Sequence, residues 1–166
     1  SDACVCGGYG GTKQVWATCV QDRDLLHFLK TMHDDKCLHY DSRSSLLAGS
    51  GVNTVRMQPC QDISQQQWRL NGTSIQPKIG SRQCLDHNFH DGIVYVHECH
   101  NGLNQKWSFH GQALHSDHDG RCLDHDFTFN NSVHVHPCHN YSNQRWYFAA
   151  APSHSDGDGN EARGTS

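Results

Sequence analysis

Three short stretches of the chain, VRMQPC (residues 55–60), VYVHEC (94–99) and VHVHPC (133–138), alternate apolar and polar residues and end on a cysteine. A period of two is the pattern of a strand with one buried face, because successive strand side chains point to opposite sides. Gly, Asn, Asp and Ser cluster between the alternating runs and mark turns. No stretch carries a convincing helical period. The pattern therefore predicts an all-β domain built from many short strands.

The alternating runs belong to a longer repeat. The phrase CHNYSNQRW (138–146) has a near-twin in CHNGLNQKW (99–107) and a weaker relative in CQDISQQQW (60–68). Trp68, Trp107 and Trp146 are 39 residues apart each time. Each follows a glutamine by two residues: Gln66, Gln105 and Gln144. A second cysteine opens each unit in a matching phrase, KCLHYD at Cys37, QCLDHN at Cys84 and RCLDHD at Cys122.

Three units, about 27–71, 72–110 and 111–149, thus fill residues 27–149. An N-terminal Cys/Gly-rich extension (1–26) precedes them and a flexible tail (150–166) follows. One such unit cannot bury its own apolar face, so three packed about a common axis are expected. Within each unit the two cysteines flank a strand and a loop, which pairs Cys37 with Cys60, Cys84 with Cys99 and Cys122 with Cys138. Closing a loop of about 15 residues is worth on the order of 3 kcal/mol in the chain-entropy picture.

Composition narrows the function classes. The chain carries 13 Lys and Arg against 17 Asp and Glu, with no clustered basic footprint for a phosphate backbone, so nucleic acid is not an expected partner. Mean hydropathy is −0.75. No apolar run approaches the roughly 20 residues needed to span a bilayer, and membrane insertion is not expected. Nine cysteines without a CxxC pair favour an oxidising compartment. Sequons at Asn71, Asn130 and Asn140 are compatible with secretion. The opening SDACVCGGYG lacks the basic and apolar regions of a signal peptide, so a secreted protein would be read here in its mature form.

The threefold CLD, VxVxxC and NQxW phrases resemble the R-type lectins, the ricin B-chain-like β-trefoil modules. The resemblance covers about three quarters of the chain and implies a β-trefoil. It implies a structural role for the Gln and Trp of each QxW, with the Trp packed in the core. It also implies a sugar site in which an Asp accepts from two adjacent hydroxyls, an Asn completes that bonding and a ring two residues before the second cysteine stacks on the C–H face. The second unit supplies Asp86, His97 and Asn104; the third supplies Asp124, His136 and Asn143. Tyr95 and His134 sit two residues earlier on the same strand face. His100 and His139 follow the second cysteine, and Gln105 and Gln144 complete the two sugar-binding sets. Galactose or N-acetylgalactosamine is the ligand the resemblance implies.

A pyranose does need such a set: a carboxylate and an amide for its hydroxyls and a flat ring for its C–H patch. A single Asp in a CxD phrase would as readily cap a turn; its recurrence with an Asn and a ring is what points to a ligand. The family usually places Trp, Tyr or Phe where this chain has His97 and His136, and imidazole offers a smaller face. The first unit has His39 for the Asp, Gln58 for the ring, Gln65 for the Asn and a longer loop, SRSSLLAGSGVNT. It reads as a scaffold copy. Two sugar sites are expected, not three.

Fifteen histidines raise the question of metal at His134 and His136, at His115 and His118, and in HNFHD (87–91). No spacing specifies a closed tetrahedral set, so neither a metal site nor a cofactor is expected. DGDGNE (156–161) lacks the sixth-position Gly of a calcium loop and reads as tail. Catalysis has no support, since no GxSxG or HExxH occurs. In the extension, Cys4, Cys6 and Cys19 are odd in number. One of the first two is expected to bond Cys19 and the other to be free or to link a second chain, giving a disulfide-linked homodimer. The VWATCV run around Trp16 is expected to add a strand to the trefoil.

The reading is a secreted, non-enzymatic lectin that crosslinks glycoproteins. Its rival is a structural or adhesive extracellular protein assembled through N-terminal disulfides and His-bound metal. Both ends read as finished tails, which weighs against a module of a larger enzyme.

Overall fold

The computed structural model describes residues 4–5, 20–21, 25–42 and 53–152. Two short strands, β1 (Cys4–Val5) and β2 (Val20–Gln21), pair with each other in a ladder of their own. Val20, the last residue of VWATCV, takes Val5 as its partner; the rest of that run lies outside the described residues, so its added strand on the trefoil stays an expectation. Cys6, Cys19 and Trp16 lie outside the described residues, as does DGDGNE, so the expected bridge to Cys19 and the interchain link stay expectations.

Four strands form each repeat. The first has β3 (Leu26–Thr31), β4 (Cys37–Tyr40), β5 (Asn53–Gln58) and β6 (Trp68–Asn71). The second has β7 (Ser74–Pro77), β8 (Gln83–His87), β9 (Val94–Glu98) and β10 (Trp107–His110). The third has β11 (Ala113–Ser116), β12 (Cys122–Asp126), β13 (Ser132–His136) and β14 (Trp146–Ala150). In each, the middle two strands make an antiparallel hairpin. The first strand of each repeat pairs with the last strand of the one before: β7 with β6, β11 with β10, and β3 with β14. That last pairing closes the ring. The result is the β-trefoil that the resemblance implies.

The alternation of apolar and polar residues does the packing. Val55 and Met57, Val94 and Val96, and Val133 and Val135 point inward from the three alternating strands and are buried. Leu38, Leu85 and Leu123, each following the first cysteine of its unit, are fully buried. Trp68, Trp107 and Trp146 fill the remaining space, and each indole Nε1–H donates to the carbonyl of that leucine, at 3.0, 3.0 and 2.8 Å. A buried indole therefore leaves no donor unpaired. Disulfides join Cys37 to Cys60, Cys84 to Cys99 and Cys122 to Cys138, with Cα separations of 5.0, 5.1 and 5.1 Å.

Gly92, at the tip of the second hairpin, has φ +77° and is buried. A Cβ there would stand 2.8 Å from the Val135 carbonyl oxygen, so only glycine lets this tip lie against β13. The backbones exchange a hydrogen bond at that point, from the Val135 N–H to the Gly92 oxygen at 2.8 Å.

Two histidines of the CLDH phrases are core residues. His87 and His125 are fully buried, and Tyr40 holds the same place in the first unit. His87 Nε2 lies 2.6 Å from Ser116 Oγ. His125 Nε2 lies 3.0 Å from Asn131 Oδ1, and its Nδ1 lies 3.5 Å from Thr31 Oγ1 and 3.9 Å from Asp34. Burial holds the His125 imidazolium below the usual histidine range, outweighing the Asn131 bond and the Asp34 charge, which pull upward. The sign follows from linkage. Neutral His125 costs nothing above its ordinary value of about 6.5. Below it the unfolded chain takes up the proton first, and stability falls until the folded-state value is passed. The urea midpoint should therefore drop on acidification below about pH 6.5, and the drop should be smaller in His125→Tyr, measured by equilibrium denaturation.

Candidate functional site

The β8–β9 hairpin and the turn after it gather one constellation. Asp86 on β8 faces Tyr95 on β9 directly across the ladder, and Cys84 faces His97. The carboxylate is 1% exposed. Its Oδ1 accepts from Asn104 Nδ2 at 2.7 Å and its Oδ2 from Gln105 Nε2 at 2.7 Å. Asn104 and Gln105 lie in a single 3₁₀ turn, Leu103–Gln105, which is why NQ as adjacent letters can reach both oxygens. His100 completes the ring of donors. Its Nδ1 accepts from the Gly102 N–H at 3.1 Å, which leaves the proton on Nε2, the atom 3.3 Å from Asp86 Oδ2.

The third unit repeats this arrangement. Asp124 faces His134 across the β12–β13 ladder. Asn143 Nδ2 donates to its Oδ1 at 3.0 Å and Gln144 Nε2 to its Oδ2 at 2.7 Å, again from one 3₁₀ turn. His139 accepts from the Tyr141 N–H through Nδ1, and its Nε2 lies 3.4 Å from Asp124 Oδ2. His134 Nε2 is 3.8 Å from Oδ1.

Neither carboxylate has a lysine or arginine partner among the described residues. Each is held instead by two amides and an imidazole N–H, and carboxylate oxygens have lone pairs beyond these.

His97 and His136 stand exposed at the mouths. The His97 ring lies 6.0 Å, centroid to centroid, from both Tyr95 and His100, and His136 lies 5.8 Å from His134. The twelve residues expected in the two sugar sets thus fall into two side-chain clusters, one around Asp86 and one around Asp124. Gln105 and Gln144 serve both purposes, because each also bonds the backbone: Gln105 meets His100 N and Glu98 O, and Gln144 meets His139 N and Pro137 O.

The first unit shows what remains when the carboxylate is gone. Gln66 keeps the same two backbone partners, Gln61 N at 2.7 Å and Pro59 O at 3.0 Å. His39 stands where Asp86 and Asp124 stand, and across the ladder it faces Arg56, a cation that also pairs with Asp41 at 3.6 Å. The first unit thus has an imidazole and a guanidinium where the other two have a carboxylate.

Sequence reasoning passed over Tyr141. Its ring, 73% exposed, lies 4.9 Å from that of His139 at the third mouth. The equivalent letter in the second phrase is Gly102. That one difference between otherwise near-identical phrases was the available signal. Asn71, Asn130 and Asn140 are all exposed.

The chain matches the family described as the ricin-type beta-trefoil lectin domain over residues 25–146. No curated protein matches it by sequence. Among solved structures it is similar to a non-toxic homologue of type II RIPs from Momordica charantia (bitter gourd), in complex with α-methyl-D-galactoside. That alignment has 14% identity and TM-score 0.62, and covers 75% of this chain and 47% of that one. The chain thus spans about half the length of the bitter gourd protein. It is similar to the C-half of the earthworm R-type lectin in complex with GalNAc (12% identity, TM-score 0.60, 76% of this chain and 98% of that one). It is also similar to GalNAc-T7 with UDP, GalNAc and Mn2+ (16% identity, TM-score 0.64, 79% of this chain but 23% of that one).

Proposed function

The chain belongs to the ricin-type β-trefoil lectin family, and from that premise we propose that it binds galactose- or N-acetylgalactosamine-type glycans through its second and third repeats and catalyses no reaction. One observation carries the reading: the same buried Asp, clamped by an adjacent Asn and Gln and flanked by a His, occurs in two repeats and not in the first. The axial and equatorial hydroxyls of such a sugar donate to the carboxylate. Asn104 or Asn143 presents its amide alongside. His97 or His136 lies against the C–H face, and at the third pocket Tyr141 adds a second aromatic surface.

Ligands of this kind are present in the solved relatives from bitter gourd and earthworm, and that supports the choice of sugar. Two pockets on one rigid trefoil allow a chain to hold two glycans at once and so to crosslink glycoproteins, with avidity above that of either pocket alone. Three intramolecular disulfides fit an extracellular setting. Among the described residues no helix is long and apolar enough to cross a membrane.

Calorimetric titration with methyl galactoside tests the proposal. The expected result is binding with a stoichiometry of two per chain, competed by N-acetylgalactosamine and not by mannose. No heat with either galactose-type sugar would remove the proposal, and one site per chain would remove one of the two repeats from it.

A further inference from the structure

Among the described residues, the second repeat brings a carboxylate and two imidazoles into one mutually close set. Oxygen and nitrogen atoms of Asp86, His97 and His100 all lie within 4.8 Å of one another. In the third repeat His134 and His139 lie 3.8 and 3.4 Å from Asp124, but no set as close as this forms around it among the described residues. We propose that the second pocket is also a zinc-type divalent cation site, ligated by Asp86, His97 and His100, and that the cation and the sugar exclude each other there. The exclusion clause rests on the sugar reading given above; the metal site itself does not.

Three features beyond proximity favour it. The Asp86 carboxylate is buried without a cationic side chain, so a cation meets an uncompensated charge. Its oxygens are already oriented by Asn104 and Gln105, and His97 Nδ1 lies 3.2 Å from the Glu98 carbonyl, which fixes the proton on Nδ1 and frees Nε2. Such outer partners are what orient metal-binding imidazoles and carboxylates. Two imidazoles and one carboxylate select zinc, nickel or copper over magnesium and calcium, and leave the fourth position of a zinc tetrahedron to solvent. The His97 and His100 side chains are exposed enough to close the last ångström or so. On binding, the cation takes the place of the Nε2 proton of His100; that proton moves to Nδ1, and the Gly102 N–H turns to water.

The cation then sits on the oxygens that would receive the sugar hydroxyls, and it draws His97 off the C–H face. One pocket is thereby under the control of metal while the other is not.

Zinc chloride titrated into EDTA-treated protein at neutral pH, followed by calorimetry, tests this with two variants. His97→Phe should remove one zinc from the stoichiometry, or weaken that site at least tenfold, while His136→Phe leaves zinc binding as in the wild type. Saturating zinc should lower the number of methyl galactoside sites from two to one in the wild type. Equal zinc binding by all three proteins, or an unchanged galactoside stoichiometry under saturating zinc, overturns the proposal. Absence of galactoside binding in the metal-free protein instead overturns the sugar reading, and the comparison of His97→Phe with His136→Phe for zinc alone then decides the metal site.

Discussion

Asp86→Ala combined with Asp124→Ala is expected to abolish galactoside binding without unfolding the protein. Each carboxylate would accept from two sugar hydroxyls, and a hydrogen bond to a charged group is worth about 1.5–3 kcal/mol. Losing two per pocket is on the order of a 10²- to 10⁴-fold loss of affinity. The fold should survive because Gln105 and Gln144 keep their backbone partners, Glu98 O and Pro137 O at 2.9 and 3.1 Å. The first repeat already lives without the carboxylate in this way, through Gln66. Each single variant should halve the stoichiometry. Replacement by Asn should be no milder, since one of its ends would turn an N–H₂ toward the amides of Asn104 and Gln105. Calorimetry gives the affinity, and an unchanged near-ultraviolet dichroism spectrum would show that the trefoil persists. Binding within threefold of the wild type in the double variant would remove both aspartates from the site.

Trp146→Ala should produce the largest loss of stability of any single substitution considered. Its indole is 1% exposed, and its Nε1–H is the partner of the Leu123 carbonyl. Truncating a buried aromatic of this size costs about 3–5 kcal/mol, and an orphaned buried carbonyl adds about 1–3 kcal/mol. Domains of this size have a total stability of about 5–15 kcal/mol, so the variant should sit near or beyond the edge of folding. Trp146 also pairs with Thr31 in the β14–β3 ladder, so the damage falls on the seam of the ring. Urea denaturation monitored at the remaining tryptophans is the measurement. A midpoint within a few tenths of a molar of the wild type would show that the cavity is refilled. Trp146→Phe should be milder.

The all-β architecture was legible because it is written three times. Cysteine, leucine and tryptophan at fixed offsets are what a repeated packing solution demands, and their partners lie within the same unit. The two Asp–Asn–Gln clusters were legible for the same reason: Asp86, Asn104 and Gln105 come from one repeat, as do Asp124, Asn143 and Gln144. What stayed hidden depends on other units. His87 was read within HNFHD and His125 only as a letter of RCLDHD, yet both are core residues, and the hydroxyls beside them, Ser116 and Thr31, belong to different repeats. Nothing local marks such a histidine as buried. Arg56 was read only as a polar letter of an alternating strand; its facing of His39 depends on the β4–β5 register. The ladder of β1 with β2 depended on a pairing between segments too short to carry a periodicity of their own.

Because Ala150 lies opposite His27 in the β14–β3 ladder, the entrance and exit of the trefoil sit side by side on its rim. Whatever is joined before residue 25 or after residue 152 therefore hangs from one spot, as a key ring hangs from one hook. The two sugar sites proposed above lie in the second and third repeats. If both proposed sites bind, a tether there would carry the load of two glycans at a single point.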